Sequence, residues 1–212
     1  MKKLTFLLLA ALSGLTASAQ TEKGSQWIGG SISASHDNQK VSYSYPNQQP
    51  NTTRKTSEFS IGPSYSYFIA DNLGVSGTLG YSNSTQEDAS NIRDAEQKYN
   101  SVFGSIALNK YALYEHKIGV RFGPFANYNY GKARSSNSEP DYGNYSTKQR
   151  ALTTGLSLDF VYFPVKQIGM VARIGSIYYQ NLNYDGAGSH LKQNGINLNI
   201  MSSTTFSLYY AF

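Results

Sequence analysis

Two short clusters in this sequence contain the residue types of nucleophilic chemistry. His36 lies between Ser35 and Asp37, and His190 follows Ser189 and stands five residues after Asp185. A hydroxyl, an imidazole that takes its proton and a carboxylate that orients the imidazole are the parts of an acyl-transfer or hydrolytic centre. The spacing matches no catalytic motif, however, and Ser, His and Asp are ordinary loop residues. No catalytic residue is assigned. The chain has no Cys, which excludes a thiol nucleophile, a thiolate zinc site, a disulfide scaffold and a lipidated cysteine. No cofactor and no metal is implied. A different set, Arg121, Asp159 and Arg173, could form an ion-paired cluster if the elements carrying these residues bring them together.

Those elements follow a segment expected to be removed. Lys2 and Lys3 precede an apolar run from Leu4 to Leu12, and Ala17-Ser18-Ala19 precedes Gln20. A basic start, a short apolar stretch and small residues at a cleavage site make a secretory signal, and the run is too short to span a bilayer as a helix. Ala17, Ala19 and Gln20 mark the expected cut, leaving residues 20–212 as one domain. Loss of the two lysines takes the formal charge from +5 to +3. Charges of both signs are scattered, so nucleic-acid binding has no basic stripe to support it.

Beyond the signal the period is two. Phe59, Ile61, Pro63, Tyr65 and Tyr67 alternate with Glu58, Ser60, Gly62, Ser64 and Ser66. The same alternation runs through 73–82, 118–130, 151–163 and 196–212, with weaker segments at about 26–35, 99–110 and 168–181. This predicts eight strands, longer than those of most soluble sheets and matched to tilted membrane-crossing strands. The links alternate too: 69–72, 112–117 and 164–167 are short, whereas 36–55, 83–98, 131–148 and 182–193 are long. Short turns at one end and long loops at the other are expected of an up-and-down barrel in an outer membrane, with both chain ends on the periplasmic side. His116 falls in a short turn, away from the other two histidines. Tyr65, Tyr67, Tyr81, Tyr128, Tyr130, Tyr162, Tyr178 and Tyr210 lie near strand ends, where aromatic girdles form.

A soluble eight-stranded ligand barrel or a sandwich would show the same alternation with its apolar side inward. The opposite face decides for the membrane. Gly, Ser, Thr and Asn suit a narrow lumen, and Phe103, Phe125, Val171 and Ile177 are expected to fill it, which leaves no room for a wide pore. Glu58, Arg121, Asp159 and Arg173 are expected to point inward as well. If the link 131–148 closes its strands symmetrically, facing residue numbers add to about 280 and pair Arg121 with Asp159. The turn 164–167 gives about 332 and pairs Asp159 with Arg173. The three should meet inside the barrel near the short-turn end, as a register-fixing filler of the lumen. In the first long link, 41–45 alternate out of phase with the preceding strand, which predicts a bulge and a hairpin continuing above the membrane.

Phe206, Leu208, Tyr210 and the terminal Phe212 resemble the closing strand of the small outer-membrane β-barrels of Gram-negative bacteria, the eight-stranded OmpA/OmpX-like and porin-family barrels. Trp27-Ile28-Gly29-Gly30-Ser31 and the turn from Tyr67 to Leu73 are similar to members from the Bacteroidetes. The resemblance covers residues 24–212 and implies an all-β, eight-stranded antiparallel transmembrane barrel. Its implied partners are outer-membrane lipid, lipopolysaccharide and, transiently, the barrel assembly machinery that reads the closing strand. It carries over no catalytic residue, and the leading expectation is a structural or surface-interaction role without a wide pore, with at most marginal passage of ions or very small solutes. Some such barrels modify lipids, which keeps a lipid-modifying enzyme with His36 and His190 at the outer rim as the alternative, beside a secreted ligand carrier. The charged long loops identify no extracellular partner.

Overall fold

A computed structural model describes residues 20–42, 51–90, 94–137, 145–186, 189–200 and 206–212. The strands among them are β1 (Gln26–Ser42), β2 (Asn51–Ala70), β3 (Leu73–Ser90), β4 (Asp94–Tyr114), β5 (Ile118–Asn137), β6 (Tyr145–Val165), β7 (Ile168–Gly186), β8 (Ser189–Ile200) and β9 (Phe206–Ala211). Each pairs antiparallel with its sequence neighbour from β1 to β8. β9 pairs with both β7 and β1, so the sheet closes on itself. The expected eighth strand is described in two segments along β7, and residues 201–205 between them lie outside the described residues. Closure is completed at the chain end, where the amides of Gln26 and Phe212 each donate to the other's carbonyl at 3.0 and 2.9 Å.

The apolar set faces out. Phe122, Leu156, Leu158 and Leu208 keep 48, 55, 40 and 57% of their surface exposed, whereas Trp27, Phe68 and Val161 are fully buried within the ring. A shared apolar centre, as in a soluble ligand barrel, would require the reverse. Most of the expected girdle tyrosines also face out, with Tyr65, Tyr67 and Tyr162 toward the short turns and Tyr81, Tyr128 and Tyr130 at the other end of the apolar belt.

Strands of 17 to 21 residues extend roughly 55–70 Å at about 3.3 Å per residue, well beyond the roughly ten residues that cross a bilayer. The long links are therefore mostly strand, and the barrel wall continues as paired hairpins past the apolar belt. In the first hairpin the β1–β2 register runs without a shift from Gln26↔Tyr67 to Ser42↔Asn51. The expected bulge is absent as far as Ser42, and 43–45 lie outside the described residues. At the other end the β4–β5 turn places Glu115 and His116 at φ 48 and 54°, and Lys117 N donates to Tyr114 O at 3.0 Å. This is the left-handed geometry that suits the twist of a tight hairpin.

On β7 an inward assignment is corrected. β7 carries an extra residue, Ile174, because Arg173 faces Asp159 while Gly175 faces Leu158. A bulge shifts the period-two phase. Val171, before it, is buried as expected, but Ile177, after it, is 48% exposed. Tyr178 consequently turns inward and its hydroxyl accepts a hydrogen bond from Asn199 Nδ2 at 3.2 Å, and Tyr179 takes the outward place.

Inside, aromatic rings occupy the space that a Cβ on a neighbouring glycine would take. A Cβ at Gly80 would enter the ring of Phe103 and crowd the Ile61 carbonyl, and a Cβ at Gly77 would meet only Ser105 O at 4.0 Å. Gly80→Ala is accordingly expected to cost about 1–3 kcal/mol by overpacking, with Gly77→Ala near neutral. Urea unfolding of the two variants in detergent micelles checks the difference.

Candidate functional site

Period two puts a large aromatic on the otherwise small-residue face close to the short-turn end of several strands. Trp27 from β1, Phe68 from β2, Tyr111 from β4, Phe163 from β6 and Tyr209 from β9 are all buried there. Trp27 is the centre, with ring centroids 5.0 Å from Phe68, 5.5 Å from Tyr111, 5.2 Å from Phe163 and 5.6 Å from Tyr209. Tilted and edge-on pairs at this spacing each contribute roughly 0.5–1.5 kcal/mol beyond area burial. The indole Nε1 donates to Gln20 O at 2.7 Å, and Thr21 Oγ1 donates to Asn72 Oδ1 at 2.6 Å. The residues preceding β1 thus fold under the rings and complete a plug across the lumen.

On this plug stands the charge cluster. Arg121 Nε donates to Asp159 Oδ2 at 2.8 Å and Arg173 Nε to Asp159 Oδ1 at 3.0 Å. Both carboxylate oxygens are engaged by residues directly opposite on β5 and β7. Arg121 Nη1 also donates to Tyr111 Oη at 3.3 Å, and its guanidinium lies 5.9 Å from the Tyr209 ring centroid, so the charged layer and the aromatic layer are bonded to each other. The Asp159 and Arg121 side chains retain only 2 and 9% exposure, whereas Arg173 keeps 45%. Burying such ions is costly, and their mutual attraction with full hydrogen bonding is what offsets it.

Above the cluster lies a cavity of about 390 Å³. Arg121, Asp159 and Arg173 line it together with hydroxyl and amide side chains such as Ser76, Thr78, Ser105, Asn127 and Thr153. Toward the hairpins, Tyr99 Oη donates to Asn129 Oδ1 at 3.1 Å and Asn129 Nδ2 to Ser101 Oγ at 3.2 Å. Phe125 is inward and stacks near Arg173, 5.7 Å from the guanidinium, and Phe103 lies inward over Gly80.

The rim holds solvated pairs. Arg54 meets Asp88 at 2.7 Å, Lys98 meets Glu96 at 2.7 Å, and Arg150 and His190 approach Asp185 at 3.9 and 2.7 Å. His36 Nδ1 is 2.9 Å from Ser57 Oγ and His190 Nδ1 contacts Asp185. Each histidine is held by the facing strand of its own hairpin, and no contact joins the two clusters among the described residues. Glu58, expected in the lumen, is exposed at the hairpin level, where Ser35 Oγ donates to its Oε2 at 3.4 Å. Ala17 and Ala19 lie outside the described residues. Parity in the sequence contained the signal for the plug, namely a bulky aromatic on the small-residue side within a few residues of a turn. The aromatics expected to fill the lumen, Phe103 and Phe125, are a layer higher.

Two outcomes follow from this electrostatics. Asp159→Asn leaves Arg121 buried without its countercharge and is expected to destabilise the barrel by about 3–5 kcal/mol, whereas replacing Arg121 and Asp159 together by Met and Leu restores most of it; unfolding midpoints in micelles measure both. At the rim, the hydrogen bond from Arg54 holds the Asp88 carboxyl below its ordinary value, against a smaller opposing effect of burial. A depressed folded-state value means that the stabilisation is present above about pH 3.9, the ordinary carboxylate range, and is lost as pH falls through the lower folded value. Amide exchange in the β2–β3 hairpin should therefore be flat from pH 8 to 5, once corrected for intrinsic rate, and accelerate only below about 3.9, by a factor reflecting under about 1 kcal/mol.

The family match accords with this architecture. Residues 4–202 match the family model described as outer membrane protein beta-barrel domain. No curated protein matches the chain. Among solved structures, the chain is similar to the attachment invasion locus protein Ail of Yersinia pestis at 16% identity and TM-score 0.43, over 90% of this chain and 99% of that one. It is similar to the outer membrane protein OprG of Pseudomonas aeruginosa at 16% identity and TM-score 0.47, over 92 and 99% of the two chains. The closed antiparallel ring with its apolar side outward is thus an integral outer-membrane β-barrel, and the chain belongs to the outer membrane protein beta-barrel domain family.

Proposed function

We propose that this barrel serves the outer membrane as a non-conducting structural and surface-interaction protein. The observation that carries this reading is the plug: five aromatic rings across the lumen, with an ion-paired layer bonded onto them. Eight strands enclose little more than their own side chains, and an aqueous channel needs about twice as many.

In this reading the short turns and both chain ends are periplasmic, and the extended hairpins stand outside the cell, reaching the lipopolysaccharide layer. Residues 1–19 act as the secretory signal, removed after Ala19, so that Gln20 and Thr21 become the first residues of the plug. Phe206, Leu208, Tyr210 and Phe212 serve the assembly machinery as its closing-strand signal. Leu208 is outward and Tyr209 inward, which supports the alternation that such a signal requires. Arg121, Asp159 and Arg173 fill the lumen and fix the register of three strands. Beyond Gly30, β1 is paired only with β2, and β8 only with β7, among the described residues. Above the apolar belt, strand edges of this kind support a surface on which another chain adds a strand. An enzymatic role draws no support from His36 and His190, since each is engaged within its own hairpin.

In planar bilayers the purified protein should add no steady conductance steps, and regular long-lived openings would overturn the reading. Deletions within residues 43–50 or 138–144 should leave folding and outer-membrane abundance unchanged while altering cell adhesion. A loss of barrel assembly with adhesion intact would count against the surface role.

A further inference from the structure

We propose that the lumenal cavity above the plug is a binding cup for a small hydroxylated oxyanion, a sugar acid or sugar phosphate, with Arg173 as its anchor. Two guanidinium groups and one carboxylate line the cavity, so the cup carries a net positive charge after its internal pairing. Asp159 is fully engaged, one oxygen to each arginine. Arg121 is spent, since it is buried, bonded to Asp159 and Tyr111, and packed by Tyr209.

Arg173 differs. Only its Nε is committed, to Asp159 at 3.0 Å, and its side chain keeps 45% exposure. No described residue pairs with its two terminal nitrogens. Donors on a guanidinium fork match the two oxygens of a carboxylate or phosphate. Phe125 at 5.7 Å restricts the plane of the fork, and the bond to Asp159 holds its stem. The fork is therefore oriented before a ligand arrives, which lowers the ordering cost of binding.

The remaining wall favours hydroxyl groups over apolar surface, with Ser105, Asn127, Thr153 and Ser176 among its members. A volume of about 390 Å³ falls at the lower end of small-molecule pockets. A bare inorganic anion would leave most of these polar groups without a partner, whereas a hydroxylated carbon chain ending in an oxyanion would engage both parts. The inference rests on the closed floor of the proposed function, because a ligand held above a plug is retained and not conducted.

The test is isothermal titration of the full barrel, refolded in an uncharged detergent at low salt, with D-gluconate, D-glucose 6-phosphate and neutral D-glucose. Saturable binding of either anion at one site, with glucose binding at least about tenfold more weakly, is expected. The carboxylate and phosphate arms distinguish the two anion types. Arg173→Gln should weaken the anion about tenfold or more. Should that variant fail to refold, Asn127→Phe, which fills the cup and leaves the arginines in place, should abolish binding. Added chloride should weaken the anion and leave any glucose signal unchanged. Equal binding of glucose, absence of anion binding, or binding unchanged in both variants overturns the cup. Failure here with silent bilayers removes only the cup, whereas steady conductance removes the closed floor beneath it.

Discussion

Hydrocarbon offers backbone amides and carbonyls no partner, so a sheet that crosses a membrane must close on itself. Everything else in this molecule depends on that closure. It is completed where the first and last strands meet, and among the described residues that ladder runs from Trp27 to Gly30 against Leu208 to Ala211, with the reciprocal bonds of Gln26 and Phe212 at its end. Trp27 and Tyr209 sit on either side of this seam and pack on each other inside. The plug therefore clamps the join from within.

The two interior layers solve different problems. Aromatic rings fill space and exclude water without needing partners for every atom. The ionic layer above them fills space too, and it also discriminates among registers, because a one-residue slip of β6 would carry Asp159 to the lipid face and strand Arg121 without a countercharge. Tyr111 belongs to both layers, as a plug ring and as an acceptor for Arg121. This coupling makes the interior a single unit across β4, β5, β6 and β7, which is why closure to solvent and correctness of register come from the same residues.

Function follows from what these layers leave over. The lumen is blocked at the short-turn end and polar above the block, and the walls rise as hairpins beyond the belt. A shape of this kind presents surfaces and holds, at most, something small. The rim pairs, exposed and spread over separate hairpins, shape charge at the surface and contribute little to stability.

Much of this was legible in the residues alone. Alternation of apolar and small polar residues determined strand identity, the alternating link lengths determined topology, and symmetric hairpin closure was enough to place Arg121 and Arg173 opposite Asp159, because register in a hairpin is arithmetic once the turn is located. What sequence could not determine is where the arithmetic breaks. The bulge at Ile174 shifts the phase of β7, sending Ile177 to lipid and Tyr178 to the lumen, and no residue type announces it. The gathering of Trp27, Phe68, Tyr111, Phe163 and Tyr209 into one plug was likewise decided only by the ring, since residues up to 182 positions apart share a level only after tilt and stagger are set. Periodicity is a local property of the chain and can be read along it; which side chains meet across a closed barrel is a property of shear and twist, and those exist only in three dimensions.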